Sequence, residues 1–359
     1  SRARFVIRRL RIGLAAVCAA GLFGAAPAPV ALDAVLADTP PPTLSAYRLF
    51  LDAQGRRPNA GVTPYALNTP LFSDYAEKFR YVWLPPDAKA GWRDRGVLDL
   101  PVGAVLAKTF AYPADLRRPD QKLRFIETRL LIHKPTGWVA LPYVWNADQT
   151  EAVLKRAGAR LDIDVTDQHG ASATIDYAVP NANQCKTCHS LMGEMAPIGP
   201  KARNLNGEFA YPDGRENQIT HWRRVGLLAS GPALAAVPRT ARWDDRKAPL
   251  ADRARAYLDG NCGHCHNPQG MARTSGLFLD LEETDPSVQG LGKRPVAAGR
   301  GSGDLEVAID PGHPERSIIV YRMESREPGV MMPELGRSLV HEEGVALVRA
   351  YIAALPREP

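Results

Sequence analysis

Two five-residue stretches limit this chain more than anything else in it: Cys185-Lys-Thr-Cys188-His189 and Cys262-Gly-His-Cys265-His266. Each sets two thiols two residues apart and follows the second directly with an imidazole. The fifth cysteine, Cys18, lies near the start, so none is left over in the rest of the chain. Two disulfides are the ordinary use of four cysteines in an exported protein. A pair two residues apart is a poor staple, however, and leaves His189 and His266 unexplained. A structural zinc site would take four thiolates in tetrahedral geometry, and again the histidines stand idle. Covalent haem uses all six residues: each thiol adds across a vinyl group, and the following His reaches the iron as proximal ligand. The sequence therefore predicts two covalently bound haem c groups, with His189 and His266 on the irons.

The other face of each iron decides what the group can do. In GVMMPELGRSLVHEEGVALVRAYIAAL, a Met beside a Pro in an extended loop precedes a closing helix, which places a thioether where it can cross a haem face. Met332 is the expected ligand of the second iron and Met331 the alternative register. Either could instead fill a gap in the core. His/Met ligation raises the reduction potential and closes the iron to substrates. For the first iron, Met192, Met195, His221, Met271, Met323, His341 or an open position all stay possible. The Gly199-Pro200 loop is a candidate to turn a carbonyl toward the free N–H of His189 and fix its tautomer.

Around the second motif, Leu250–Asp259 and Glu342–Ala354 read as helices whose apolar positions suit a small helical cytochrome. Between residue 38 and Cys185 the period changes to two. RLDIDVTD alternates Leu161, Ile163 and Val165 against polar neighbours, and KFRYVWL, AVLAKTFAY, RFIETRLLIHK, GWVALPYVW and ATIDYAV also suit strands separated by turn signals. The expected fold is α+β and multidomain: an N-terminal antiparallel sandwich or barrel of about eight strands over 38–180, then two mainly helical cytochrome c-like haem domains over 181–248 and 249–359. His133, His169, Glu127 and Asp148 are scattered through the β-rich part, and no catalytic set is read from them.

Residues 1–37 look like an export signal. Five arginines precede an apolar run from Ile12 to Ala26, and Val35-Leu36-Ala37 reads as a cleavage site. Pro27, Pro29 and Asp33 break the run before it reaches the ~20 apolar residues of a membrane span. The 359-residue chain carries a net charge of +6. Losing those five Arg and one Asp lowers it to +2, which argues against a nucleic-acid surface or a polybasic membrane patch.

Assembled, these pieces resemble a family of exported bacterial dihaem c-type cytochromes with an N-terminal β domain and two CxxCH segments. The match is carried by GWVALPYVWNADQTEA, CKTCHS with PIGPKARNLN and NQITHW, GNCGHCHNPQG with SGLFLDL, and PGHPERSIIVYRM with MMPELGRSLVHEEG, from about Gly61 to the C-terminus. The second haem segment is also similar to cytochrome domains with a Pro-Gly-x-Pro-x-x-Ser loop and a late Met-Pro. The resemblance implies haem binding and electron transfer, and names no substrate. The expected protein is a periplasmic carrier between redox partners, a donor dehydrogenase and a terminal acceptor, without nucleic acid and without stable membrane insertion once the signal is removed. Two alternatives stand beside it: a peroxidase-like dihaem oxidoreductase with an open first iron, and a ligand-binding β domain coupled to a redox partner.

Overall fold

The structure is a computed structural model that describes residues 26–297 and 299–356. Residues 1–25, which hold the basic and most of the apolar part of the expected signal, lie outside the described residues. The described chain begins with a short helix α1 (Leu32–Leu36) and a 3-10 turn at Leu44–Tyr47. Six strands follow: β1 (Thr63–Tyr65), β2 (Glu77–Trp83), β3 (Val105–Tyr112), β4 (Arg124–Lys134), β5 (Gly137–Trp145) and β6 (Ala152–Leu154). They form one antiparallel sheet in chain order, so each strand is a hairpin away from the last. A separate hairpin, β7 (Ala159–Thr166) with β8 (Ser172–Val179), packs across one end of it.

The period of two sends each strand's residues alternately to two faces. On one face Tyr81, Trp83, Val105, Ala107, Leu130, Ile132, Leu141 and Tyr143 bury against the N-terminal segment. Val30 and Val35 belong to this core, Val35 with no exposure, and Lys134 donates to the Ala37 carbonyl. These contacts fall within the last residues of the expected signal, 1–37.

The other face is divided. At one end Phe110, Tyr112 and Ile126 pack on Ile163, Val165, Ile175 and Tyr177 of the β7–β8 hairpin. At the opposite end Val82, Leu84, Leu106 and the partly buried Leu131 meet later segments of the chain. Those segments are α2 (Ala182–Cys188), the two-residue strands β9 (Ser190–Leu191) and β10 (Glu194–Met195), α3 (Ala202–Leu205), β11 (Glu208–Tyr211), β12 (Gly214–Asn217) and α4 (Gln218–Arg224). Ala202, Leu205, Ile219 and Trp222 share one core with the sheet.

Beyond them lie α5 (Leu250–Leu258), α6 (Ile318–Glu324) and α7 (Glu342–Ala354). Ala254, Tyr257 and Leu258 of α5 pack on Val345, Val348 and Ile352 of α7, with Ile319, Val320 and Met323 of α6 filling the side.

The expected fold class is corrected here. Helical residues make up 22 % of the described residues, and the largest single element of the fold is the six-stranded antiparallel sheet. The two mainly helical haem domains are absent among the described residues, and the eight strands divide six and two without closing a barrel. The physical reason lies in helix length. The helices between Asn181 and Val225 have four to seven residues, too short to be stable without tertiary support. They bury their apolar side chains against the sheet.

No helix among the described residues is long and apolar enough to cross a membrane.

Candidate haem-binding sites

The first motif sits at the end of α2. Asn181 caps that helix: its side chain accepts from the Gln184 amide at 2.9 Å, and the Gln184 side chain accepts from the Asn181 amide at 2.9 Å. Cys185 and Cys188 are three apart on α2 and therefore share a side of it. His189 ends the helix, its amide donating to the Cys185 carbonyl at 2.9 Å. The β9–β10 turn then brings the chain back so that the Ala196 carbonyl lies 3.1 Å from His189 Nδ1. The predicted support exists, but Ala196 supplies it in place of the Gly199-Pro200 loop. With Nδ1 as the donor, Nε2 keeps a free lone pair. Burial, then the neighbouring His264 and Lys108, pushes the His189 imidazole down to about 3, so it is neutral near pH 7.

A cavity of about 200 Å³ opens in front of this motif. Its far wall is the sheet: Arg80 from β2, Leu106 and Lys108 from β3, Arg129 and Leu131 from β4, Ala140 and Pro142 from β5. Arg80 is opposite Lys108, and Lys108 opposite Arg129, in the strand register. Burial, then Arg80, Lys78 and Arg129, forces the Lys108 ammonium well below its ordinary range.

The second motif follows α5. That helix runs on through a wider turn, Asp259–Gly263, which carries Cys262. Asn261 fixes the turn by donating to the Tyr257 carbonyl and accepting from the Phe72 amide, at 2.9 and 2.8 Å. His266 repeats the first arrangement: its amide meets the Cys262 carbonyl at 2.9 Å, and Nδ1 lies 3.2 Å from the Leu277 carbonyl. Burial pushes its imidazole down to about 4. A cavity of about 400 Å³ opens here, lined by Cys262, Cys265, His266, Leu277, Leu279, Ile318, Ile319, Met323 and Met332.

Met332 lines this cavity, whereas Met331 is not part of its wall. The loop carrying Met332 is held from inside. Buried Arg337 donates to the carbonyls of Met332, Ser325, Leu339 and Arg322 at 2.8–3.2 Å. Asp74, from the loop before β2, accepts from the amides of Ser338 and Leu339, each at 2.8 Å.

The two sites touch. Cys188 and His264 belong to the walls of both cavities. One ligand atom each from Cys188, His264 and Cys265 lie within 4.8 Å of one another. Beneath this junction Arg203 of α3 makes a bidentate pair with Asp259 at 2.8 and 2.9 Å, and both side chains are buried. All four cysteines described are free thiols. No protein-family model, curated protein or solved structure matches this chain.

The six candidate ligands for the first iron are all elsewhere. Met192 is 66 % exposed. His221 stacks on Tyr211 at 3.4 Å and faces Glu216 at 3.0 Å. Met271 and Met323 line the second cavity, and His341 stacks on Phe72 while bonding the Tyr257 hydroxyl. Met195 lies on β10 outside the first cavity's wall. In the β-rich part, Glu127 is fully buried and bonded by Tyr177 and Arg129, and His133 bonds the Leu100 carbonyl.

Sequence reasoning missed the cations on the sheet, the Arg203–Asp259 pair and the Arg337–Asp74 clamp. The first had a signal. Lys78, Arg80, Lys108 and Arg129 fall in phase with Val82, Leu106 and Leu131, so they were placed on an otherwise apolar face. The other two join residues far apart in the chain, and nothing local marks them.

Proposed function

We propose that the chain is an exported, periplasmic dihaem c-type cytochrome that carries electrons between redox partner proteins. One observation carries this reading: each motif's His rests Nδ1 on a backbone carbonyl beside two free thiols and in front of its own cavity. Cys185 and Cys188 would hold one haem and Cys262 and Cys265 the other, each by addition of S–H across a vinyl double bond, which needs no external oxidant. A bound haem supplies an iron that takes one electron from a reduced partner protein and passes one to an oxidised partner protein. His189 and His266 would offer neutral imidazoles to the two irons, and Met332 a thioether that would keep substrates off the second. The adjacency of Cys188 and Cys265 supports direct exchange between the two sites. Met332→Ala should abolish any sulfur-to-iron charge-transfer band, and an unchanged band would remove that ligand.

A second reading is favoured by the first cavity, whose wall contains none of the candidate Met and His ligands. An open first iron there suits a peroxidase-like oxidoreductase, in which two electrons and two protons reduce peroxide to two waters. A high-spin ferric signal with peroxide turnover selects it; two low-spin haems without turnover select the carrier.

A further inference from the structure

Arg80, Lys108 and Arg129 stand side by side across three neighbouring strands on the face that walls the first cavity. Neighbouring strands are about 4.8 Å apart, so three cations sit in a row roughly 10 Å long. Like charges placed directly opposite on a sheet repel, and burying each charge costs several kcal/mol unless it is paired. Arg129 has its partner in Glu127. Arg80 is only 8 % exposed and Lys108 is half-buried, and no side-chain hydrogen bond or ion pair of either is found among the described residues; the Lys108 ammonium lies over the Phe110 ring at 4.6 Å. The acid that does line the cavity, Asp259, is already taken by Arg203 and Lys201. Two cations therefore face this cavity with no anion from the chain.

We infer that Arg80 and Lys108 receive the propionate carboxylates of the first haem, which makes the β sheet the wall that sets that haem's potential. The inference rests on the dihaem reading. It gives the β-rich part a role within the redox site. Two carboxylates match two unpaired cations, and a haem anchored by vinyl groups at Cys185 and Cys188 carries its carboxylates away from those thiols. Arg80 and Lys108 stand on β2 and β3, and Arg129 follows on β4, on the side of β5. The same cations would also take a free oxyanion, so the test separates the two sources.

The holoprotein is compared with Arg80→Gln, Lys108→Gln, the double variant and the charge-keeping Lys108→Arg. Haem content is measured first, by pyridine haemochrome assay; a wild-type chain without haem would sink the dihaem reading itself. With two haems present, spectroscopic redox titration should resolve two midpoints. A nearby cation favours the reduced, more negative state, so each Gln variant should lower one midpoint, the double variant should lower it further, and Lys108→Arg should restore it. The other midpoint should stay fixed. Unchanged midpoints in the double variant with both haems retained would overturn the inference. So would a saturable spectral response of the wild-type first haem to inorganic phosphate that the double variant loses, because the cations would then be serving a free oxyanion. Should the double variant fail to fold, the two single variants and Lys108→Arg carry the same comparison.

Discussion

The two CxxCH sites are spelled alike and enclosed differently. The second is surrounded by α5, α6 and α7, with an apolar cavity and a Met332 loop pinned by Arg337. The first has a seven-residue helix on one side and a β sheet bearing cations on the other. Both histidines nevertheless make the same Nδ1-to-carbonyl contact. The comparison teaches that the support behind each His is built from local chain, residues 185–196 at one site and 262–277 at the other. The opposite side is borrowed from whatever the fold brings there: a methionine loop at one site, a charged sheet at the other.

The comparison can be broken most sharply by deleting one motif. Replacing Cys262 and Cys265 together by Ser should halve the haem-to-protein ratio and leave the first haem's spectrum; loss of both groups would mean that the sites cannot be treated separately. Met332→Ala comes next, with complete loss of a sulfur–iron band and a lower potential at the second site alone.

Arg203→Met tests the junction. Removing one partner of a buried pair costs about 3–5 kcal/mol when the other charge is left alone; Lys201 stays 3.6 Å from Asp259, so the loss should fall below that range, measured as a shift in denaturant midpoint. Burial raises the Asp259 pKa, but Lys201 and Arg203 more than offset this and hold it below the ordinary carboxylate range. A depressed folded-state value stabilises the fold above the unfolded pKa, and that share is lost as pH falls through the folded one. The penalty of Arg203→Met should therefore shrink in acid below about pH 4, and a penalty independent of pH would point to packing instead. The smallest effect belongs to the α2 cap: Asn181→Ala should cost about 1 kcal/mol and leave the second site's spectrum untouched.

Much of this was readable in the chain. The alternation in RLDIDVTD and KFRYVWL located β7 and β2, and the apolar spacing after Glu342 located α7, because those segments bury one face and their period reports it. Met332 was placed ahead of Met331, and it is Met332 that lines the second cavity. What failed was the inference from motif to domain. A CxxCH stretch suggests a helical haem domain, but the apolar residues of α3 and α4 have their partners on the sheet, more than a hundred residues earlier for Tyr65 against Trp222. Such long-range burial leaves no local mark. The same holds for Asp74, whose partners Ser338 and Leu339 are over 260 residues away.

The central claim is that both thiol pairs become thioethers on haem. Intact mass of the denatured chain, made in cells competent for cytochrome c maturation, tests it directly. The account predicts the mass of the polypeptide plus two haems, with the colour surviving acid-acetone extraction. A colourless chain of bare polypeptide mass would contradict it, and would leave Cys188, His264 and Cys265 as the remnant of a metal-binding site.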